Sequence, residues 1–236
     1  MTDLFQRNDL CLYYLFNHAA LRRELVTHNA GWCPYDIFIS YRRRGHVFTW
    51  VTEYFYPLLV NWFLDHTPPD YNISVFIDLN EIKTGESWSI NLKEALRQSR
   101  YLLPIWSPDY FRSNWCKAEL HTMLKREEIL GLRQGHTASG LIYPVVFKGA
   151  KHIPSEYTNI LQYKDLSNWG NPWPAFKYSP EFSLFSSEVE QICDDLWSYI
   201  QKAPLWRDDW PIITPDELAR TLPPVPNTPL SLPRFS

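Results

Sequence analysis

The chain has 236 residues, 45% of them hydrophobic, with 23 Lys and Arg against 26 Asp and Glu for a net charge of −3. That is enough apolar material for one domain of ordinary size with attachments, so global disorder is excluded. It also lacks the basic excess that a dedicated nucleic-acid binder carries. Aromatic residues reach 16%, with 11 Trp, while Gly numbers only 8, which argues against a glycine-driven nucleotide fold.

Residues 1–32 carry a helical pattern of apolar positions (Leu4, Phe5, Leu12, Leu15, Phe16, Leu21, Leu25, Val26) that stops at His28-Asn29-Ala30-Gly31, and we read them as an N-terminal helical extension. Next come Tyr35–Tyr41 (YDIFISY), a short β-rich run, and Val51–Asp65, an apolar helical stretch that Pro57 should kink. Ile73–Asp78 reads as a second strand and Trp88–Gln98 as an amphipathic helix. Tyr101–Trp106 reads as a third strand despite Pro104, and Ser113 or Asn114 could cap a helix running to about Leu130. Leu141–Phe147 is a fourth strand, Leu161–Leu166 a fifth, and Phe185–Gln201 a closing helix. Apolar strands alternating with helices call for a parallel sheet covered on both faces. The last 33 residues, from Pro204, hold 8 of the 19 prolines, so residues 203–236 read as a Pro-rich extended tail with no helix.

Several destinations are set aside on pattern. Leu10–Leu21 and Tyr54–Leu64, the longest strongly apolar stretches, fall short of the roughly 20 residues a bilayer span requires. The start Met-Thr-Asp-Leu lacks the basic region of a secretory signal. Four scattered cysteines without a C-x-x-C pair, and seven His without ligand spacing, indicate neither a disulfide framework nor a metal site. The expectation is a cytoplasmic protein with no membrane, nucleic-acid or metal partner.

In parallel sheets of this kind ligands gather beyond the carboxyl ends of the strands, so the residues after Tyr41, Asp78 and Trp106 are the ones to inspect. Arg42-Arg43-Arg44 could hold phosphate oxygens or form a solvated basic turn. Asp78 through Trp88 is a polar loop entering a helix, without Walker or dinucleotide-fold glycine spacing. Trp115 and Glu119 are four apart and share one helix face. An indole beside a carboxylate can stack on a flat cationic ring and face a developing positive charge, although a core Trp and a surface Glu would show the same spacing. Cys116 reads as a packed thiol, since no His is placed to activate it.

Together YDIFISYRRR (35–44), VFIDLNEIKTGESW (75–88) and SPDYFRSNWCKAEL (107–120) resemble the TIR (Toll/interleukin-1 receptor) domain. The flavour is that of its NAD-cleaving bacterial, plant and axon-degeneration members, and the resemblance covers about residues 33–202. It implies a flavodoxin-like three-layer α/β domain with a five-stranded parallel sheet. It also implies a catalytic Glu119 and a nicotinamide-stacking Trp115. Arg42 and Arg43 would line the NAD cleft, and Asp78 through Gly85 would match the loop that governs TIR–TIR assembly and gates the site. Tyr41, Asp78, Gly85 and Ser107 are accordingly expected to touch substrate. NAD+ would be the substrate rather than a cofactor, and the products nicotinamide with ADP-ribose or a cyclic isomer, in an antiphage or immune signalling system with a separate sensor or effector. Arg44, Pro57 and Pro104 depart from the family pattern. Two alternatives stand beside this one: a non-enzymatic TIR–TIR scaffold, and a nucleoside deoxyribosyltransferase-like enzyme.

Overall fold

The computed structural model describes residues 33–79, 86–132 and 140–221. The expected N-terminal extension (1–32), Gly85 and the end of the Pro-rich tail lie outside these described residues.

Five parallel strands form one sheet in the order β2-β1-β3-β4-β5. They are β1 (Tyr35–Ser40), β2 (Val75–Ile77), β3 (Ser99–Trp106), β4 (Val145–Val146) and β5 (Lys164–Asp165). This is the flavodoxin-like order, whose switch point lies between β1 and β3. Strand alternation assigns the two faces. Ile37, Ile39, Tyr41, Tyr101, Leu103 and Ile105 enter one core, while Phe38, Leu102 and Trp106 enter the other.

The first core is closed by α1 (Gly45–Trp50), α2 (Tyr56–His66) and α6 (Pro180–Ile200). Much of the aromatic excess sits here. Trp50 packs at 5.1 Å from Phe55, 5.2 Å from Phe147 and 5.5 Å from Phe185, ring centroid to centroid, contacts worth about 0.5–1.5 kcal/mol each beyond area burial. The expected disturbance at Pro57 is a π-helical turn, Val51–Phe55, between α1 and α2. The wide turn comes just before the residue that can neither donate an N–H nor tolerate the preceding carbonyl at normal helical spacing.

The second core is covered by α3 (Glu86–Arg97), α4 (Asn114–Ile129) and the short α5 (Ser155–Thr158). In α3, Leu92, Ala95 and Leu96 face inward and Ile90 outward. Ser113 caps α4, its hydroxyl accepting from the Cys116 N–H at 3.3 Å. Pro104 sits inside central β3, opposite Ser40. Its neighbours in phase bond toward the β4 side, Leu102 N–H to Leu141 O and Phe147 N–H to Trp106 O, both 2.9 Å. The N–H that Pro104 lacks therefore falls before β4 begins at Val145. The expected fourth strand, Leu141–Phe147, is accordingly reduced to two residues and an isolated bridge between Leu102 and Ile142.

The expected extended tail needs correction. Residues 204–214 do run without regular structure, but Pro215–Thr221 is a helix, α7. Thr214 and Glu217 cap it reciprocally: Glu217 N–H donates to Thr214 Oγ1 at 3.3 Å and Thr214 N–H to Glu217 Oε2 at 2.7 Å. Pro215 occupies the first helical position, where a missing N–H costs nothing. This segment is fastened across α3 and α4. Trp206 donates its indole N–H to Arg97 O at 3.1 Å, Ile213 N–H donates to Thr122 Oγ1 at 2.9 Å, and Leu218 is buried. The Trp210 ring centroid lies 5.6 Å from the Arg126 guanidinium and 5.3 Å from that of Arg207.

Candidate active site

Beyond the carboxyl ends of β1 and β2 a cleft of about 180 Å³ opens, lined by Tyr41, Arg42, Arg43, Arg44, Asp78, Trp115 and Glu119 among others. Seven residues thus converge there from three separated stretches of chain. Six of the eight expected site residues line it: Glu119, Trp115, Arg42, Arg43, Asp78 and Tyr41. Ser107 does not. It is buried at the end of β3, where its hydroxyl accepts the Tyr110 N–H at 3.2 Å and so shapes the turn into Tyr110–Arg112. Gly85 lies outside the described residues.

The rim is made of charge pairs. Arg42 Nε donates to Asp109 Oδ2 at 3.1 Å, and Arg42 Nη1 to Ser113 Oγ at 3.3 Å. Arg44 grips Asp109 through both oxygens, at 2.8 Å each. Arg43 Nη1 donates to Asp78 Oδ2 at 2.5 Å, and the Tyr41 hydroxyl donates to the Asp78 backbone carbonyl at 2.7 Å. The arginine triplet is therefore neither a free phosphate cradle nor a solvated turn. Among the described residues, three guanidinium groups here meet two carboxylates. The Arg44 hydrogen bonds, helped by Arg42, hold the Asp109 carboxyl down to about 2.

The floor is different. Glu119, on the second turn of α4, is only 7% exposed. Burial pushes its carboxyl up to about 7, against the opposing pull of the Ser40 hydroxyl and the Arg43 charge; Asp78 adds to the rise. Ser40 Oγ lies 2.5 Å from Glu119 Oε2 and 2.9 Å from the Tyr110 hydroxyl, which donates to Cys116 O at 3.0 Å. Ser40 and Tyr110 were absent from the expected set. The legible signal was alternation: Ser40 is in phase with Phe38, on the face that α4 covers, so a polar side chain there must meet α4. Trp115 is half-buried on the same face of α4, and Lys93 Nζ stands 5.9 Å from its ring centroid, near the outer limit of cation–π attraction. Cys116 also lines the cleft, but burial raises its thiol to about 12, which makes it inert as a nucleophile at neutral pH.

Chemically, the cleft joins an aromatic wall, a rim of fixed charge, and one floor carboxyl poised to gain or lose its proton near neutrality. Among the described residues no group of three His, Cys, Asp or Glu side chains could hold a metal ion, and no helix is long and apolar enough to cross a membrane.

Comparison with known proteins matches residues 37–177 to the family described as TIR domain. Among solved structures, the TIR domains of the activated Roq1 resistosome directly recognizing the pathogen effector XopQ align at 20% identity. The alignment covers 71% of this chain and 84% of that one, with a TM-score of 0.34.

Proposed function

Since the chain belongs to the TIR-domain family, we propose that it is an NAD+ nucleosidase, cleaving the bond between nicotinamide and ribose. The observation that carries this reading is Glu119: a buried carboxyl at the floor of the cleft, one helical turn from the half-buried indole of Trp115.

The leaving group of NAD+ is already a cationic pyridinium and departs neutral, so no general acid has to protonate it, unlike an ordinary glycoside. What remains is to stabilise an oxocarbenium-like ribosyl centre, and one carboxylate close to that ribose supplies the charge. Glu119 has that role. Trp115 stacks on the nicotinamide ring, and the guanidinium rim of Arg42, Arg43 and Arg44 faces the diphosphate. Water as nucleophile gives ADP-ribose, whereas an internal hydroxyl or base nitrogen gives a cyclic isomer.

The cleft volume of about 180 Å³ is below the roughly 300–1,000 Å³ of sites that enclose a whole ligand. It suits the nicotinamide–ribose end. The adenylate end then requires further wall, which a second copy of the chain would supply, in accord with activity that depends on TIR–TIR assembly. We place the reaction in the cytoplasm, in an immune or antiphage signalling role with a separate sensor or effector.

The test is incubation of concentrated protein with NAD+, read by mass-resolved chromatography, with Glu119→Gln alongside. Nicotinamide release by wild type alone is expected, and the co-product mass separates hydrolysis from cyclisation. Equal turnover by both proteins would remove Glu119 from the chemistry. Cleavage of nucleosides in place of NAD+ would favour a deoxyribosyltransferase-like enzyme. Persistent silence under forced crowding would favour the scaffold.

A further inference from the structure

Three contacts run in series beneath the cleft: Glu119 Oε2 to Ser40 Oγ, Ser40 Oγ to Tyr110 Oη, and Tyr110 Oη to Cys116 O. Ser40 and Tyr110 are almost fully buried, so leaving their mutual contact without a hydrogen carries a cost. The Cys116 carbonyl can only accept, and Ser40 and Tyr110 bring one hydroxyl hydrogen each. Two hydrogens cannot serve three contacts. If Tyr110 donates to Cys116 O, the Ser40–Tyr110 contact requires the Ser40 hydrogen, and the Ser40–Glu119 contact then requires a hydrogen from Glu119 itself. The series is complete only as Glu119 O–H to Ser40 O–H to Tyr110 O–H to carbonyl. When Glu119 ionises, its proton leaves through the cleft to solvent, Ser40 turns to donate to the carboxylate, and one Tyr110 contact is left without a hydrogen.

We infer that Ser40 and Tyr110 are positioning residues that form a two-setting hydrogen-bond relay, Tyr110 favouring the protonated form of Glu119 and Ser40 favouring the ionised one. The inference deepens the nucleosidase reading and rests on it for its functional meaning: the ionised setting is the one that stabilises a ribosyl cation, and a pyridinium ring entering over the floor draws Glu119 into it. The other groups facing the site are Arg43 and Arg42 after β1, Asp78 after β2, and the Cys116 thiol on α4; Tyr157 of α5 acts on Tyr110, and Lys93 of α3 stands over Trp115. None of these is altered by deleting a hydroxyl from Ser40 or Tyr110, so the relay can be tested against a constant background.

The two deletions have opposite consequences. In Tyr110→Phe the protonated form leaves the Ser40 hydrogen without an acceptor, while the ionised form keeps its Ser40 donor, so Glu119 becomes more acidic. In Ser40→Ala the carboxylate loses its donor, and because a hydrogen bond to a charged group exceeds one to a neutral group, Glu119 becomes less acidic. Each shift should be about tenfold in the acid constant. The experiment is an infrared carbonyl-stretch titration of the full chain, with the Glu119 band assigned by its loss in Glu119→Gln. Where NAD+ is cleaved, the pH dependence of kcat/KM should move in the same two directions. Shifts in the same direction, or none in Tyr110→Phe, would overturn the relay. Should Ser40→Ala not fold, the downward shift in Tyr110→Phe decides alone. The titration needs no turnover, so a chain that titrates as described but cleaves no NAD+ would sink the proposed function and leave the relay standing.

Discussion

Asp109, which holds the arginines of the cleft's rim, and Glu119, which lines its floor, are ten residues apart in the chain, yet their surroundings drive them in opposite directions. Asp109, at the rim, is about 29% exposed and held by two guanidinium groups, which keep it charged down to about 2. Glu119, at the floor, is met directly by a hydroxyl, and burial lifts it to about 7. A carboxylate that is paired and wet stays a fixed charge; one that is dry with a neutral partner becomes an adjustable one. The rim can orient a substrate, but only the floor can change its charge when one arrives.

The strongest attack on this contrast is Glu119→Gln, which should lower NAD+ cleavage by about 10²–10³-fold with substrate affinity largely kept, as measured by kcat at saturating NAD+. Stability should report the same group. Glu119 ordinarily ionises near 4.5 but near 7 in the folded chain, so on raising the pH the unfolded chain loses its proton first. Folding is therefore favoured below about pH 4.5 and loses on the order of 3 kcal/mol as pH rises to 7 and beyond. Urea unfolding at pH 8 should then find Glu119→Gln more stable than wild type by up to about that amount, with the gap closing near pH 4. Arg43→Gln sharpens the contrast by removing a charge that holds Glu119 down and leaving Asp78 less opposed. The acid limb of the pH–activity profile should move up by about one pH unit. The rim should answer more weakly: Asp109→Asn is expected to raise KM for NAD+ about three- to tenfold with kcat little changed. Its cost in folding stability should stay under about 1 kcal/mol, because Arg44, its two-point partner, is exposed and solvent screens the pair.

Much of this was legible in the residues. YDIFIS and the run ending at Trp106 became the two central strands because continuous apolar sequence suits a strand buried on both faces. The capped helix Asn114–Ile129 was readable to within one residue, Ser113 or Asn114 as cap, and the structure takes Ser113; the Trp115–Glu119 pair was readable from its spacing together with the family resemblance. Ser40 is not legible as a site residue by type alone, because a small polar residue ending a strand looks like any strand end until alternation places it under α4. Ser107 lies off the cleft because a serine after a strand can turn outward to a ligand or back to its own turn, and here it takes the backbone N–H of Tyr110. The tail helix was hidden by proline density. Thr214-Pro215-Asp216-Glu217 is a complete start signal, but it lies in a segment whose composition argued for extension. Thr214→Ala should cost about 1 kcal/mol, read from the unfolding midpoint.

The segment that carries this helix has a kinetic meaning of its own. Arg126 is buried with its guanidinium held by two backbone carbonyls, Ser99 O at 3.0 Å and Leu96 O at 2.9 Å, its Nε without a partner among the described residues, and the Trp210 ring alongside. When residues 204–221 lift, Trp210 loses its packing, but the cation beneath regains water, and that hydration offsets part of the loss. The two ends of the fold should thus open at different free energies. Amide exchange in 206–218 should proceed by local fraying while β1 and β3 exchange only with global unfolding.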